Sequence, residues 1–351
     1  MVVSLYIFGC ILLIFSLLPL IRNDYWTFRV FEYPRIQKLL LVILWILLFL
    51  LFTDNRPLVL NILFGALILN AVYLAWQIAP YTPLGKKQVF KIKQDNQDNQ
   101  LAVMISNVYE DNTNYQGCIN EINKAQPDII LLLETNHEWE KKTEVLDDTY
   151  NYQVKVPIDN TYGMLLFSKF PIYDAQVHYL VEENIPSIFC KIKLPSGQLV
   201  QVYAVHPTPP VPNENPRSTE RDKELLLVAK KAVKQKLPVL VIGDLNDVAW
   251  SYTTELFLKT SKLLDPRRGR GFLNTFHAKI PFLQFPLDHA FISADFKLIK
   301  IKKLGNFDSD HYPIYVKIQF EKQAYAEQAE NELEADADDK KLVQEKINAD
   351  T

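Results

Sequence analysis

Several apolar runs in this 351-residue chain end in polar residues that a purely structural strand does not select, and their types suit chemistry on a phosphate group. Asn107 follows the apolar residues 103–106, and Glu134 follows residues 129–133, where a hydrophobic strand delivers a carboxylate to its C-terminal end. The segment Val239-Leu240-Val241-Ile242-Gly243-Asp244-Leu245-Asn246 closes a buried strand with a glycine and two polar residues spaced by two. Extended backbone would turn Asp244 and Asn246 to the same side. One of them would hold or activate a water while the other gives an amide to a phosphate oxygen, as an in-line displacement requires. Pro286-Leu287-Asp288-His289 and Ser309-Asp310-His311 supply two acid and histidine pairs, and His206 ends the apolar run 202–205. A carboxylate beside an imidazole fixes its tautomer and stabilises its protonated form. Hard carboxylate and amide oxygens without thiolates suit Mg²⁺ or Mn²⁺ rather than zinc.

Singly, each residue has a duller reading. Asn107 reads as a turn former, Glu134 as an acid capping a helix start before Thr135 and Asn136, and His206 as a structural histidine. An Asx turn accounts for one member of the Asp244 and Asn246 pair but not for both. His206 is also the fourth strand end to carry a polar group.

The elements that must position these groups are short. Runs of buried-strand length lie at 101–108, 128–133, 164–167, 177–181, 188–194, 200–205, 239–242, 290–292 and 314–318, with Pro195-Ser196-Gly197 as a hairpin turn. So many strands require more than one sheet. A helix-compatible stretch passes through Ile119, Ile122 and Ala125. A second helix starts near Thr219, where Asp222 three residues on predicts a capping box and Leu225, Val228, Ala229 and Ala232 share one face. Sheets and helices in layers are the expected architecture.

Before residue 80 the composition changes solvent. Residues 1–21, 36–52 and 57–78 are apolar runs long enough to approach the roughly 20 residues that cross a bilayer as a helix. A signal peptide does not fit the first, which lacks a basic leader and a small-residue cleavage site. Lys38 must snorkel, and Asn61, Asn70 and Gln77 read as hydrogen-bonding groups between neighbouring helices rather than a transport path. Arg22, Arg29, Arg35 and Lys38 stand in the first loop against Arg56 in the second. Lys86, Lys87, Lys91 and Lys93 follow the third span, so the charge bias places everything after residue 80 on the cytoplasmic side.

The net charge of −3 gives no basic excess with which to grip nucleic acid, and Cys10, Cys118 and Cys190 lack metal-site or disulfide spacing. These features argue against a dedicated high-affinity DNA binder, a zinc finger and a disulfide framework.

The ordered set Ser106-Asn107-Val108, Leu133-Glu134-Thr135, Gly163-Met-Leu-Leu-Phe-Ser-Lys-Phe-Pro171, Ala204-Val205-His206-Pro207, Gly243-Asp244-Leu245-Asn246, Leu287-Asp288-His289 and Ser309-Asp310-His311-Tyr312-Pro313 resembles the endonuclease/exonuclease/phosphatase superfamily. That group includes DNase I-like nucleases, inositol-polyphosphate phosphatases and neutral sphingomyelinases. Over residues 101–320, after the three transmembrane α-helices read from the apolar runs, the resemblance implies an α+β four-layered β-sandwich of DNase I-like fold, with the site at one edge. It implies Asn107, Glu134 and Asp310 at a Mg²⁺ or Mn²⁺ ion, Glu134 as a direct ligand. His311, oriented by Asp288, would contact the phosphate or deprotonate water. Asp244 would align or activate the nucleophilic water, Asn246 would hold a phosphate oxygen, and His206 would contact phosphate or serve as the acid for the leaving group. His206 departs from the pattern in having no evident partner carboxylate; Tyr162 and Tyr203 are its nearest candidates in sequence.

Pro207-Thr208-Pro209-Pro210 and the segment 215–221 resemble a membrane-tethered bacterial subgroup, in which Arg217 or Arg221 would meet a substrate phosphate or end a helix in solvent. Arg270, in Arg267-Arg268-Gly269-Arg270-Gly271, would face a polyanionic substrate.

The expected organisation is therefore three spans over 1–80, a flexible linker over 81–100, a catalytic domain over 101–320 and an acidic, disordered tail over 321–351. A phosphoesterase of the bacterial inner membrane, cutting a phosphodiester in nucleic acid or phospholipid, is the leading expectation. A non-catalytic membrane protein that recognises phosphate on the same fold is its rival.

Overall fold

The structure is a computed structural model that describes residues 2–53 and 57–351; Arg56, counted above for the second loop, lies outside the described residues. The N-terminal part folds as α1 (Val2–Leu17), the short α2 (Trp26–Arg29), α3 (Arg35–Phe52) and α4 (Leu58–Ile78), and three segments, 3–20, 35–52 and 58–81, are long and apolar enough to cross a membrane. At 1.5 Å per residue the 21 residues of α4 reach about 31 Å, close to the thickness of a hydrocarbon core. Leu12, Val42, Trp45, Phe49, Leu63 and Leu67 pack the three together. Asn70 donates to the Ser16 hydroxyl across α4 and α1 at 3.1 Å, the expected use of a polar group between spans. Gln77 donates instead within its own helix, to Tyr73 at 2.7 Å. The Lys38 ammonium donates to the carbonyls of Phe31 (2.7 Å) and Phe15 (3.1 Å).

The domain that follows has strands β1 (Gln100–Asn107), β2 (Ile129–Leu133), β3 (Tyr152–Val156), β4 (Met164–Ser168), β5 (Ile172–His178), β6 (Ser187–Lys193), β7 (Leu199–Val205), β8 (Val239–Asp244), β9 (Asp288–Ile292), β10 (Phe296–Lys303) and β11 (Ile314–Phe320). They form a six-stranded sheet of order β10-β11-β1-β2-β4-β3 and a five-stranded sheet of order β5-β6-β7-β8-β9. Period-two alternation decides which residues meet between the sheets. Val103, Ile105, Leu131 and Leu133 of the first pack against Val202, Ala204, Leu240 and Ile242 of the second. The intervening Met104, Ile130 and Leu132 face outward onto α5 (Tyr115–Ala125) and α6 (His137–Thr143). On the other side α7 (Thr219–Lys234) and α8 (Tyr252–Ser261) cover Val205, Val241 and Phe291 with Leu225, Val228, Ala229 and Phe257. The result is the expected four-layered sandwich, helices outside two sheets.

Several local expectations fail. The strand read at 177–181 lies earlier, at Ile172–His178. β3 and β10 carried no signal, because β3 is half-exposed and β10 contains Lys297, Lys300, Lys302 and Lys303. The Thr219 capping box does not form: Ser218 is the N-cap, and Asp222 is buried among Arg221, Arg29 and Lys346. The linker is no free tether. The Tyr81 hydroxyl donates to the Ala249 carbonyl, Val89 enters the inter-sheet core, and Gln88 and Asn331 donate to each other's carbonyls at 2.8 and 3.0 Å. The acidic tail also folds, through α9 (Ala324–Gln328) and α10 (Ala337–Ile347). Its acids cap α10 (Asp336, Asp339) or pair with Lys297 and Lys259, while Val343 packs on Leu226 and Leu256.

The loop between α1 and α3 docks on the segment just after β8. Arg29 donates to Thr253 at 2.5 Å, the Tyr33 hydroxyl to the Asn246 carbonyl at 2.8 Å, and Arg35 to the Trp250 carbonyl at 2.5 Å. The Trp250 indole donates back to the Glu32 carbonyl at 3.0 Å. Three of the four first-loop cations are thus bound inside the molecule.

Candidate active site

Strand direction gathers the polar strand ends at one edge. β1 and β2 run parallel, so Asn107 and the residue after Leu133 emerge together; β7 and β8 run parallel, so His206 and Asp244 do the same. β9 is antiparallel to β8 and starts with Asp288 opposite Asp244. Close packing at this edge demands glycine at 243, whose φ is +151° and where a Cβ would stand 1.8 Å from the Val205 carbonyl oxygen. Glu134 and Asn246 are held at φ +58° and +50°, uncommon for residues with a side chain and typical of sites where the surroundings impose the conformation.

The side chains form one line, joined by hydrogen bonds except between Asp244 and His311, which meet as an ion pair. Asn107 Nδ2 donates to Glu134 Oε1 at 2.6 Å and to Asp244 Oδ2 at 3.2 Å. His311 Nε2 lies 3.5 Å from the same Asp244 oxygen, and its Nδ1 is 2.8 Å from Asp288 Oδ2. The Ser309 hydroxyl donates to the Asn107 carbonyl at 2.9 Å and accepts from His311 N at 3.0 Å, which ties the loop before β11 to the end of β1. Thr275 accepts from Asp288 N at 3.3 Å. Sequence reading assigned no part to Ser309 or Thr275, and neither carries a signal beyond its place in a loop.

Electrostatics separates the two ends of this line. Burial pushes the Glu134 carboxyl up to about 7 against the opposing Asn107 hydrogen bond, and Asp310 and Asp244 add to the rise. Among the described residues no Lys or Arg pairs with it. A half-buried carboxylate raised by Asp310 and Asp244 and paired with no base is the chemistry of a site for a hard cation such as Mg²⁺ or Mn²⁺, whereas Asn107 turns its amide nitrogen to Glu134 while its Oδ1 accepts from Tyr109 N at 3.0 Å. Burial alone would depress the His311 imidazole, but Asp288 and then Asp244 outweigh it and push it up to about 10. Ligand atoms of Asp244, Asp288 and His311 lie within 4.8 Å of one another, yet a protonated ring held between two carboxylates already fills the place of a cation there.

His206 differs. It is fully buried, its Nδ1 has no partner, and burial pushes it down to about 4, so the ring is neutral at neutral pH. Among the described residues no carboxylate forms a hydrogen bond or ion pair with it, although Asp244 is near enough to oppose the effect of burial; the Tyr162 ring is 5.3 Å away, with its own buried hydroxyl unpartnered. A reservoir of acid is not what this environment provides.

Three sequence expectations are corrected, and Arg217 stands in solvent, one of the two readings given for it. β8 ends at Asp244, so Asn246 does not continue the alternation; its backbone N donates to Asp244 Oδ1 at 2.9 Å and its amide to the Pro207 carbonyl at 3.0 Å. Arg221 does not face the site from a helix end: it is buried, pairs with Asp222 (2.8 Å) and Asp247 (3.5 Å), and donates to the Asn246 carbonyl at 2.8 Å. Removing one partner of such a buried cluster costs on the order of 3–5 kcal/mol, so Arg221 shapes the loop after β8. Arg270 is spent on the carbonyls of Pro266 and Val89, and its neighbour Arg267 on Asp265 and His289, so this basic run binds the protein itself. Arg217 is exposed, and its backbone bridges Tyr25 of the first loop.

The Endonuclease/Exonuclease/phosphatase family profile matches residues 104–311, more than half of the chain, and the chain belongs to that family, whose members are generally hydrolases of phosphoester bonds. No curated protein matches it in sequence. Among solved structures it is similar to D. rerio TDP2 humanized by 14 mutations, at 15% identity over 63% of this chain and 99% of that one, with a TM-score of 0.54. The mannosyl-6-phosphatase of Bacteroides thetaiotaomicron VPI-5482 aligns at 17% identity over 63% and 100% of the two chains, TM-score 0.53. The human Nocturnin catalytic domain aligns at 16% over 65% and 97%, TM-score 0.50. At these identities the likeness establishes the fold, which is DNase I-like.

Proposed function

We propose that this chain is a membrane-anchored, divalent-metal-dependent phosphoesterase that cuts a phosphodiester. The observation that carries the reading is the unbroken line Glu134–Asn107–Asp244–His311–Asp288 at the edge where two pairs of parallel strands end. Glu134, with Asn107 and Asp310, would hold Mg²⁺ or Mn²⁺, which supplies charge neutralisation at a phosphate oxygen when bound. His311 donates from Nε2 to a second phosphate oxygen, its ring held by Asp288. Asp244 takes the proton of the attacking water as the new P–O bond forms and the ester P–O bond breaks. Neutral His206 gives the departing oxygen a hydrogen bond, and its proton comes from solvent. Asn246 keeps one amide hydrogen for a phosphate oxygen beyond the bond to Pro207. Four carboxylates against one imidazolium and one divalent ion favour a singly charged diester over a doubly charged monoester. The test is hydrolysis by the full chain of a diester, a monoester, DNA and phospholipid, each with Mg²⁺ and with EDTA.

The spans would occupy residues 1–80 and the catalytic unit 101–320, with the catalytic unit on the cytoplasmic face of a bacterial inner membrane. Exposed charges support that side, notably Arg22 and the lysines after α4. The docking of the first loop on the domain supports both lying on one side, as does the parity of three spans. Alkaline phosphatase fused after Thr351 should stay inactive in a bacterial host; strong activity would place the domain outside.

A further inference from the structure

Residues 276–285 form a hairpin that connects the catalytic centre to the membrane helices. At its base Phe276 pairs with Phe285, and Phe276 also bridges His311, with the two rings 4.9 Å apart. Ala278 N donates to the Asp310 carbonyl at 2.6 Å, so the hairpin forms one wall beside the catalytic line. Its tip presents apolar side chains to the outside: Ile280, Phe282 and Leu283 are 42%, 86% and 47% exposed. A single exposed apolar residue is ordinary, but three within four positions on one turn are not.

The position of that tip is fixed by the spans. Gln37, in the first turn of α3, donates to the Phe282 carbonyl at 2.8 Å, and Tyr33 packs edge-on against Phe285 at 5.6 Å. The tip therefore lies level with the first turn of α3, a candidate span, and Leu40, one turn further along α3, is 62% exposed, as a lipid-facing residue would be. Lys279, beside the tip, stands over the Tyr109 ring at 5.6 Å, two residues from Asn107.

We propose that the hairpin 276–285 is seated in the leaflet that α3 enters and forms the membrane-side wall of the catalytic site. The phosphoester taken there is then the headgroup phosphate of an amphiphile resident in that leaflet. This substrate class rests on the phosphoesterase reading above; the seating of the hairpin does not.

The test uses the full chain in phosphatidylcholine and phosphatidylglycerol nanodiscs with Mg²⁺ and two esters sharing a leaving group, hexadecyl and ethyl p-nitrophenyl phosphate. The double variant Phe282→Ser, Leu283→Ser should lose about tenfold or more in kcat/KM on the hexadecyl ester and keep its rate on the ethyl ester. Equal loss on both would mean that the hairpin only supports His311, and no loss on either would remove it from substrate delivery; each overturns the proposal. Faster cleavage of single-stranded DNA than of the hexadecyl ester would overturn the substrate class. In parallel, Phe282→Trp should be quenched by brominated lipid beyond the wild type, and quenching equal to wild type would overturn the seating. If wild type cleaves neither ester, the phosphoesterase reading fails, and the quenching alone decides the hairpin.

Discussion

Replacing Glu134 with Gln is expected to cut turnover by roughly a hundredfold or more and to weaken divalent-cation binding, because size is kept while the charge that attracts the ion is removed. The carboxylate is held at the end of β2 in a left-handed backbone conformation, with Asn107 on one oxygen. Burial pushes it up to about 7, above the ordinary carboxylate range, so the protonated form is favoured and acid opposes the cation. The affinity of the wild type for Mn²⁺ should therefore fall by up to roughly tenfold per pH unit below about pH 7 and level off above it. Glu134→Gln should lack that slope. Activity unchanged at limiting Mg²⁺, or an equal slope in both proteins, would contradict the assignment.

His311 and Asp288 are expected to act as one unit. Each single alanine variant should lose about 10²–10⁴ in kcat/KM, and the double variant should be no worse than the worse single one. The reason is geometric: Asp288 Oδ2 holds Nδ1 at 2.8 Å, and with Asp244 it keeps the ring protonated up to about 10 despite burial. A ring that lost Asp288 would shed its proton at lower pH, so the alkaline limb of the profile should move down in Asp288→Asn. The cycle is scored at saturating Mg²⁺ with folding followed separately by circular dichroism. Losses that sum in free energy would mean that Asp288 does not serve His311 and instead only shapes the start of β9.

The polar strand ends were legible because each follows an apolar run whose direction carries it to the edge: Asn107, Glu134, His206 and Asp244 are placed by β1, β2, β7 and β8 themselves. The His311 and Asp288 pairing was legible only through family resemblance. Its two residues are far apart in sequence, and the contact depends on β9 starting opposite Asp244. Asn246 was misread because alternation was extended past the true strand end. Arg221 and Arg270 were misread because a cation's partners decide its role, and theirs are Asp247 and the Val89 carbonyl, which spacing does not reveal. The same limit hid the docking of Tyr33 and Arg35 on the loop after β8. The tail looked solvated because its composition is acidic, yet those acids cap α10 and pair with lysines on β10 and α8. Composition reports that charge is present; partners decide whether it is spent.

The account is tested most directly by bis(p-nitrophenyl) phosphate hydrolysis with the full chain in nanodiscs, comparing Mg²⁺, EDTA and restored Mg²⁺ for the wild type and Asp244→Asn. The prediction is turnover that disappears with EDTA, returns with the ion, and falls by about 10²–10⁴ when the carboxylate that takes the water's proton becomes an amide. A wild type that binds inorganic phosphate yet releases no nitrophenol with Mg²⁺ or Mn²⁺ would contradict it, and would make this edge a recognition site rather than a catalytic one.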